Sequence, residues 1–153
     1  MMLKSVVLAA MVALPVYFPE RDTVAERDAF LAELAPAIIR ETKGDRELAA
    51  FVIAIGWHET KFSPRLARSE CRPHECDPRR FTLPDGRKVV QHQARGTFQL
   101  HRVRAMSNED WEALRGPGSE DAQVKEAVKR ARSALARCRG MRDAIGLSFG
   151  AYG

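Results

Sequence analysis

Apolar residues in this chain fall into blocks with different periods. From Asp22 to Gly44 the apolar positions Phe30, Leu31, Leu34, Ile38 and Ile39 recur at helical spacing. Asp22 or Thr23 can cap that helix, Pro36 is expected to kink it, and Gly44 to end it. The next block, "RELAAFVIAIGWHET", places Leu48, Phe51, Val52, Ile53, Ile55 and Trp57 so densely that almost no polar face remains. A helix apolar on all sides is expected at the centre of a fold. Gly56 inside it costs about 1 kcal/mol relative to Ala, which close packing against a neighbour, or the approaching helix end, would explain.

The period is lost between Phe62 and Arg95, where prolines stand at 64, 73, 78 and 84. Pro84-Asp85-Gly86 is a turn signal, so "RFTLPDGRKVVQ" is compatible with a small hairpin. Helical signals then return. Ser107 can cap "NEDWEALRG", whose first turn is acidic as the helix dipole favours. Ser119 can cap "SEDAQVKEAVKRARSALARC", which puts Val124, Ala127, Val128, Ala131 and Leu135 on one side and basic residues on the other. "MRDAIGLSFGAYG" begins a last helix. The pattern predicts a mainly α domain over residues 21–153 with a loop-rich insert able to carry a small β-hairpin. Residues 1–20 form a separate apolar segment. It is uncharged from Ser5 to Phe18, too short to span a bilayer, and reads equally as a secretory signal or as a segment docked on the domain.

Composition narrows the partners. The chain has 153 residues and is 45% hydrophobic and 29% charged, enough for one domain with its own core. Its net charge of +5 suits a polyanionic partner or is simply that of a basic soluble protein. The basic stretch Lys125–Arg139 carries no accompanying DNA-binding motif, so specific nucleic-acid recognition is not expected. Cys71 and Cys76 share a polar loop and can bridge. With Cys138 and His74 they also make a zinc ligand set in principle, but the spacing fits no standard finger. His58-Glu59 does not open a zinc-protease motif, because Phe62 stands where the second histidine is needed.

Two stretches could carry chemistry. Glu59 ends the most hydrophobic helix, next to Trp57 and Phe62. Burial there and the negative end of the helix dipole would both disfavour the charged carboxylate and suit it to donate a proton. In "QARGTFQLHR", Gly96 lets the backbone pass close to a neighbour, and the Gln99 amide offers a donor and an acceptor. Common structural roles, an outward-turned Glu and a half-buried amide, fit the same residues.

In order, the chain reads Glu59-Thr-Lys-Phe62-Ser-Pro64, then Gly96-Thr-Phe98-Gln99, then Ala151-Tyr152-Gly153. This resembles the lysozyme-like superfamily, and within it the soluble lytic transglycosylase-like domains related to goose-type lysozymes. The resemblance runs from Glu59 to Gly153. It implies that Glu59 is the catalytic acid and base, that Gly96, Phe98, Gln99 and Tyr152 bind substrate, and that the substrate is the MurNAc-β-1,4-GlcNAc bond of peptidoglycan glycan strands. It implies no metal or other cofactor, a monomer, and a periplasmic, extracellular or phage-associated location. A hydrolase of the same fold would need a second carboxylate to position water. Asp77 is the first candidate, with Glu70, Glu75 and Asp85 behind it. A non-catalytic, basic nucleic-acid- or wall-binding module is the remaining alternative. Thr60 and Phe98 depart from the family's usual serine and methionine, no Asn follows Tyr152, and the link at 69–95 is longer than usual. The expectation is therefore a C-terminally truncated or degenerate relative, with Tyr152 frayed at the chain end and the partner of Cys138 missing.

Overall fold

A computed structural model describes residues 2–15, 22–140 and Tyr152. Helix α1 (Met2–Val12) lies against α2 (Val24–Thr42), burying Val7 and Met11 in the main core. The buried Arg27 guanidinium secures this contact by donating to the carbonyls of Val12, at 3.1 Å, and Leu14. The Val12 carbonyl belongs to the last turn of α1, where a cation is favoured, and Leu14 lies just beyond it. The described part of the N-terminal segment, residues 2–15, thus packs against α2.

Thr23 caps α2 in a reciprocal box. Its hydroxyl accepts the Glu26 N–H at 3.1 Å, and the Glu26 carboxylate accepts the Thr23 N–H at 3.0 Å. The helix runs on through Pro36 and stops where Lys43 and Gly44 both turn left-handed. Asp45 then caps α3 (Arg46–Thr60), its carboxylate accepting the Leu48 N–H at 3.0 Å. A short helix, α4 (Pro64–Ala67), follows at once, with Ser63 as its cap and Pro64 at its first position.

The insert folds as expected into a hairpin. Strands β1 (Pro78–Thr82) and β2 (Lys88–His92) pair antiparallel, with Phe81 opposite Val89, around a turn closed by Gly86 N–H to Leu83 O at 2.9 Å. A second small ladder joins β3 (Ala94–Arg95) to β4 (Leu100–His101), with the Gly96–Gln99 loop between them. Helices α5 (Asn108–Glu112) and α6 (Glu120–Cys138) complete the described chain. Ser107 caps α5 as predicted. Ser119 occupies the N-cap position of α6 but does not cap it. Its hydroxyl donates instead to Gly116 O at 2.7 Å and faces the Gln123 amide at 2.7 Å.

The core lies between α2, α3 and α6, lined by Leu34, Ile38, Val52, Ile55, Val124 and Ala131. The molecule is mainly α with two two-stranded sheets. One sequence expectation needs correction. Helix α3 is not buried on every side, because Ile53, Ala54 and Trp57 are only half-buried. That apolar face forms the wall of a cleft. The last predicted helix, at 141–153, lies outside the described residues except for Tyr152.

Candidate active site

The end of α3 is held by interlocking steric and polar contacts. Lys61 and Phe62 are both left-handed, at φ 53° and 56°, so the chain reverses directly after Glu59-Thr60. This reversal folds the Phe62 ring back beneath Gly56. A Cβ at Gly56 would lie 2.6 Å from Phe62 Cε1 and 3.1 Å from Phe98 Cε1, which is why a glycine stands inside this helix. Thr60, fully buried, donates to Thr97 O at 2.9 Å and so ties the helix end to the Gly96–Gln99 loop. The two sequence stretches singled out above are therefore physically joined.

A single residue not anticipated from the sequence holds the other side of that loop. The Gln123 carboxamide oxygen accepts the Thr97 N–H at 2.8 Å. Its nitrogen faces Ala67 O at 2.7 Å, Leu114 O at 3.1 Å and Ser119 Oγ at 2.7 Å. Gln123 is wholly buried, and Gly96 lies flat on it: a Cβ there would come within 2.3 Å of the carboxamide. Gly96 at φ 70° thus makes room for an amide of the chain itself.

Glu59 opens onto a cleft of about 590 Å³ whose described walls include Ile55, Trp57, His58, Lys61 and Tyr152. Its carboxylate is the only one among the described residues lining this cleft. It lies 3.4 Å from His58 Nδ1, and its side chain is 34% exposed, so Glu59 is not buried as the sequence led one to expect. Trp57 forms an apolar wall, with Phe62 behind it at 6.5 Å between ring centroids and the Lys61 ammonium 5.2 Å above its own ring.

Tyr152 is not frayed. It is 9% exposed, joins the main core cluster, and lines the same cleft as Glu59. Its buried hydroxyl has no hydrogen-bond partner among the described residues. Burial pushes its pKa above the usual tyrosine value. Arg130 opposes this, while Glu59 and Glu126 add to the rise. Glu126 was read from sequence only as part of a basic helix. In the structure it is 14% exposed and held by Arg130 at 2.9 Å, with both groups in electrostatic reach of Tyr152. The i,i+4 spacing of Glu126 and Arg130 was the available signal.

The remaining candidates lie away from these walls. Phe98 is fully buried under Gly56 and has no surface for a ligand. The Gln99 amide donates to Gly96 O at 3.0 Å, within its own loop. Asp77 does not line the Glu59 cleft, and its carboxylate faces His101 at 3.8 Å and Arg79 at 3.9 Å. Glu75 is locked by the Arg65 fork at 2.9 and 3.0 Å, and Asp85 by Arg87 at 2.7 Å. Cys71 and Cys76 form a disulfide, which removes two thiols from the zinc alternative, and Cys138 is a buried free thiol. Among the described residues no helix is long and apolar enough to cross a membrane. Comparison of the chain with family models, with curated proteins and with solved structures finds no match.

Proposed function

We propose that the protein cleaves the β-1,4 bond between N-acetylmuramic acid and N-acetylglucosamine in peptidoglycan, with Glu59 as proton donor and then acceptor. The observation that carries this reading is one cleft in which Glu59 shares its walls with the face of Trp57 and with a buried Tyr152 hydroxyl that has no partner among the described residues. An apolar ring face suits a sugar ring, and a buried hydroxyl without a partner in the free chain suits a ligand's polar group. A sugar filling the cleft would displace water from around the partly exposed Glu59 carboxylate.

A single carboxylate in the described lining favours the lytic transglycosylase route over the two-carboxylate hydrolase. In that route Glu59 protonates the leaving glycosidic oxygen, then takes the proton from the muramic acid 6-hydroxyl as that oxygen closes onto C1. The product is a 1,6-anhydro sugar. Thr60, Gly56 and the Gly96–Gln99 loop act as the frame that fixes the helix end, and Gly96 and Phe98 belong to that frame rather than to the sugar contact.

Digestion of purified peptidoglycan followed by mass spectrometry tests this. Anhydro-muropeptides are expected, whereas reducing ends would move the reading to a hydrolase. Glu59→Gln should lower the rate by about 10² to 10⁴ while the fold persists, the usual cost of a lost general acid. A mutant keeping more than roughly a tenth of the rate would remove Glu59 from the role, since that falls short of the same range.

A further inference from the structure

The hairpin β1–β2 is a prominent feature that the cleft does not use. Arg79, Arg80, Phe81, Thr82, Lys88, Val90 and Gln91 are all exposed, so both of its faces meet solvent. Two-stranded hairpins are marginal on their own in water. This one is held firmly at its root. The Cys71–Cys76 disulfide closes the preceding loop, and Arg65 grips Glu75 with both nitrogens, their side chains 18% and 15% exposed. His92 Nδ1 lies 2.8 Å from Glu75 O, and the N–H groups of Gln93 and Ala94 donate to Asp77 O and Cys76 O, each at 3.1 Å. A stiff root beneath a solvent-bathed blade contributes little to the core and much to presenting a surface.

The charges of that surface are sorted by face. Strand alternation puts Arg79, Phe81, Val89 and Gln91 on one face and Arg80, Thr82, Lys88 and Val90 on the other. The nearby acids are engaged elsewhere: Asp77 lies 3.9 Å from Arg79, and Asp85 is bonded to Arg87 at 2.7 Å. Arg80 and Lys88 have no ion-pair partner among the described residues. They stand diagonally across the ladder, because Lys88 is opposite Thr82, two residues from Arg80. Cations on one strand pair, with no acid on their face, match a chain of repeating negative charge.

We propose that the Arg80–Lys88 face docks a linear phosphodiester polymer of the envelope, of the poly(glycerol phosphate) kind, and so holds the protein on its wall substrate. A bilayer is a poorer fit. The exposed apolar residues Phe81 and Val90 point to opposite faces, and the tip is the polar turn Pro84-Asp85-Gly86, so no apolar edge is presented to lipid. The disulfide favours an oxidising compartment over one rich in nucleic acid. Binding is read without any turnover, so its failure is separable from failure of the glycosidase reading.

The test is equilibrium binding of the full chain to labelled poly(glycerol phosphate), with neutral chitin oligomers, single-stranded DNA and phosphatidylglycerol vesicles in parallel. Binding should weaken with salt. The double variant Arg80→Glu/Lys88→Glu should bind about tenfold or more weakly at low ionic strength, with unchanged Tm. Lys125→Glu/Lys129→Glu, on the exposed face of α6, should change binding by less than the hairpin pair. The proposal is overturned if the hairpin variant binds like wild type, if the α6 variant shows the greater loss, or if neutral glycan, DNA or vesicles bind more tightly than the polymer.

Discussion

Gln123 and Tyr152 are both buried polar side chains, and the chain treats them in opposite ways. Every polar atom of the Gln123 carboxamide meets a partner from the fold, in the Gly96–Gln99 loop, at the end of α4, just beyond α5, or at the start of α6. The Tyr152 hydroxyl, on the cleft wall beside Glu59, meets none among the described residues. Burying a polar group without a partner costs about 1–3 kcal/mol. The first arrangement is that of a structural junction; the second, on the function proposed above, suits a surface that takes a ligand. The same contrast separates Gly96, which clears space for Gln123, from the open cleft in front of Glu59.

The sharpest way to break this comparison is Gln123→Leu. Leucine has nearly the right bulk but strands the Thr97 N–H and the Ala67 and Leu114 carbonyls. With a cost of about 1–3 kcal/mol for each buried group left unpaired, the loss should reach on the order of 3–5 kcal/mol. In thermal melts that is a fall of about 10 °C in Tm for a domain of this size. A fall of only about 1 °C would mean that the junction is not closed as described, since even one stranded group costs more than that.

Gly96→Ala should come next, at about 2–3 kcal/mol, from the left-handed backbone together with the clash against Gln123. The two causes can be separated. In a Gln123→Ala background the clash vanishes, and the cost of Gly96→Ala should drop to the backbone part, about 1 kcal/mol. A double-mutant cycle with no coupling would show that Gly96 is glycine for its φ of 70° alone.

What the sequence made legible was local. A cap at Thr23, one of the two candidates offered with Asp22, the helix Arg46–Thr60 and the Pro84-Asp85-Gly86 turn are written in residues a few positions apart, and all appear in the structure. The Gln123 junction was illegible because its partners are between 4 and 56 residues away, and a glutamine on a helix surface carries no signal of what it will meet. The open side of α3 was misread for a related reason: an apolar residue facing a cleft and one facing a core give the same period. Glu59 was singled out by its place at a hydrophobic helix end, and the structure adds the Tyr152 hydroxyl to its surroundings. Asp77 was plausible by its place in the loop, but a turn residue's direction is set by its backbone. At φ 48° it looks toward His101 and Arg79.

The smallest stability effect belongs to Tyr152→Phe, and it tests the other half of the comparison. Removing a buried hydroxyl that has no partner should leave stability near neutral pH within about 1 kcal/mol of wild type, or raise it slightly. Alkaline pH should enlarge the difference in one direction only. Burial holds the native tyrosine pKa above its unfolded value of about 10. Below that value both states keep the proton and nothing is lost. Above it the unfolded chain releases the proton while the native chain retains it, so wild-type stability falls with rising pH. Phenylalanine has no proton to release, so the variant should gain on wild type as the pH rises above about 10. Lytic rate should move the opposite way, falling about tenfold as the cleft loses a hydrogen-bonding group to the sugar. Parallel pH curves for the two proteins would mean that the hydroxyl is not sequestered. A variant as active as wild type would mean that the empty hydroxyl is not kept for substrate.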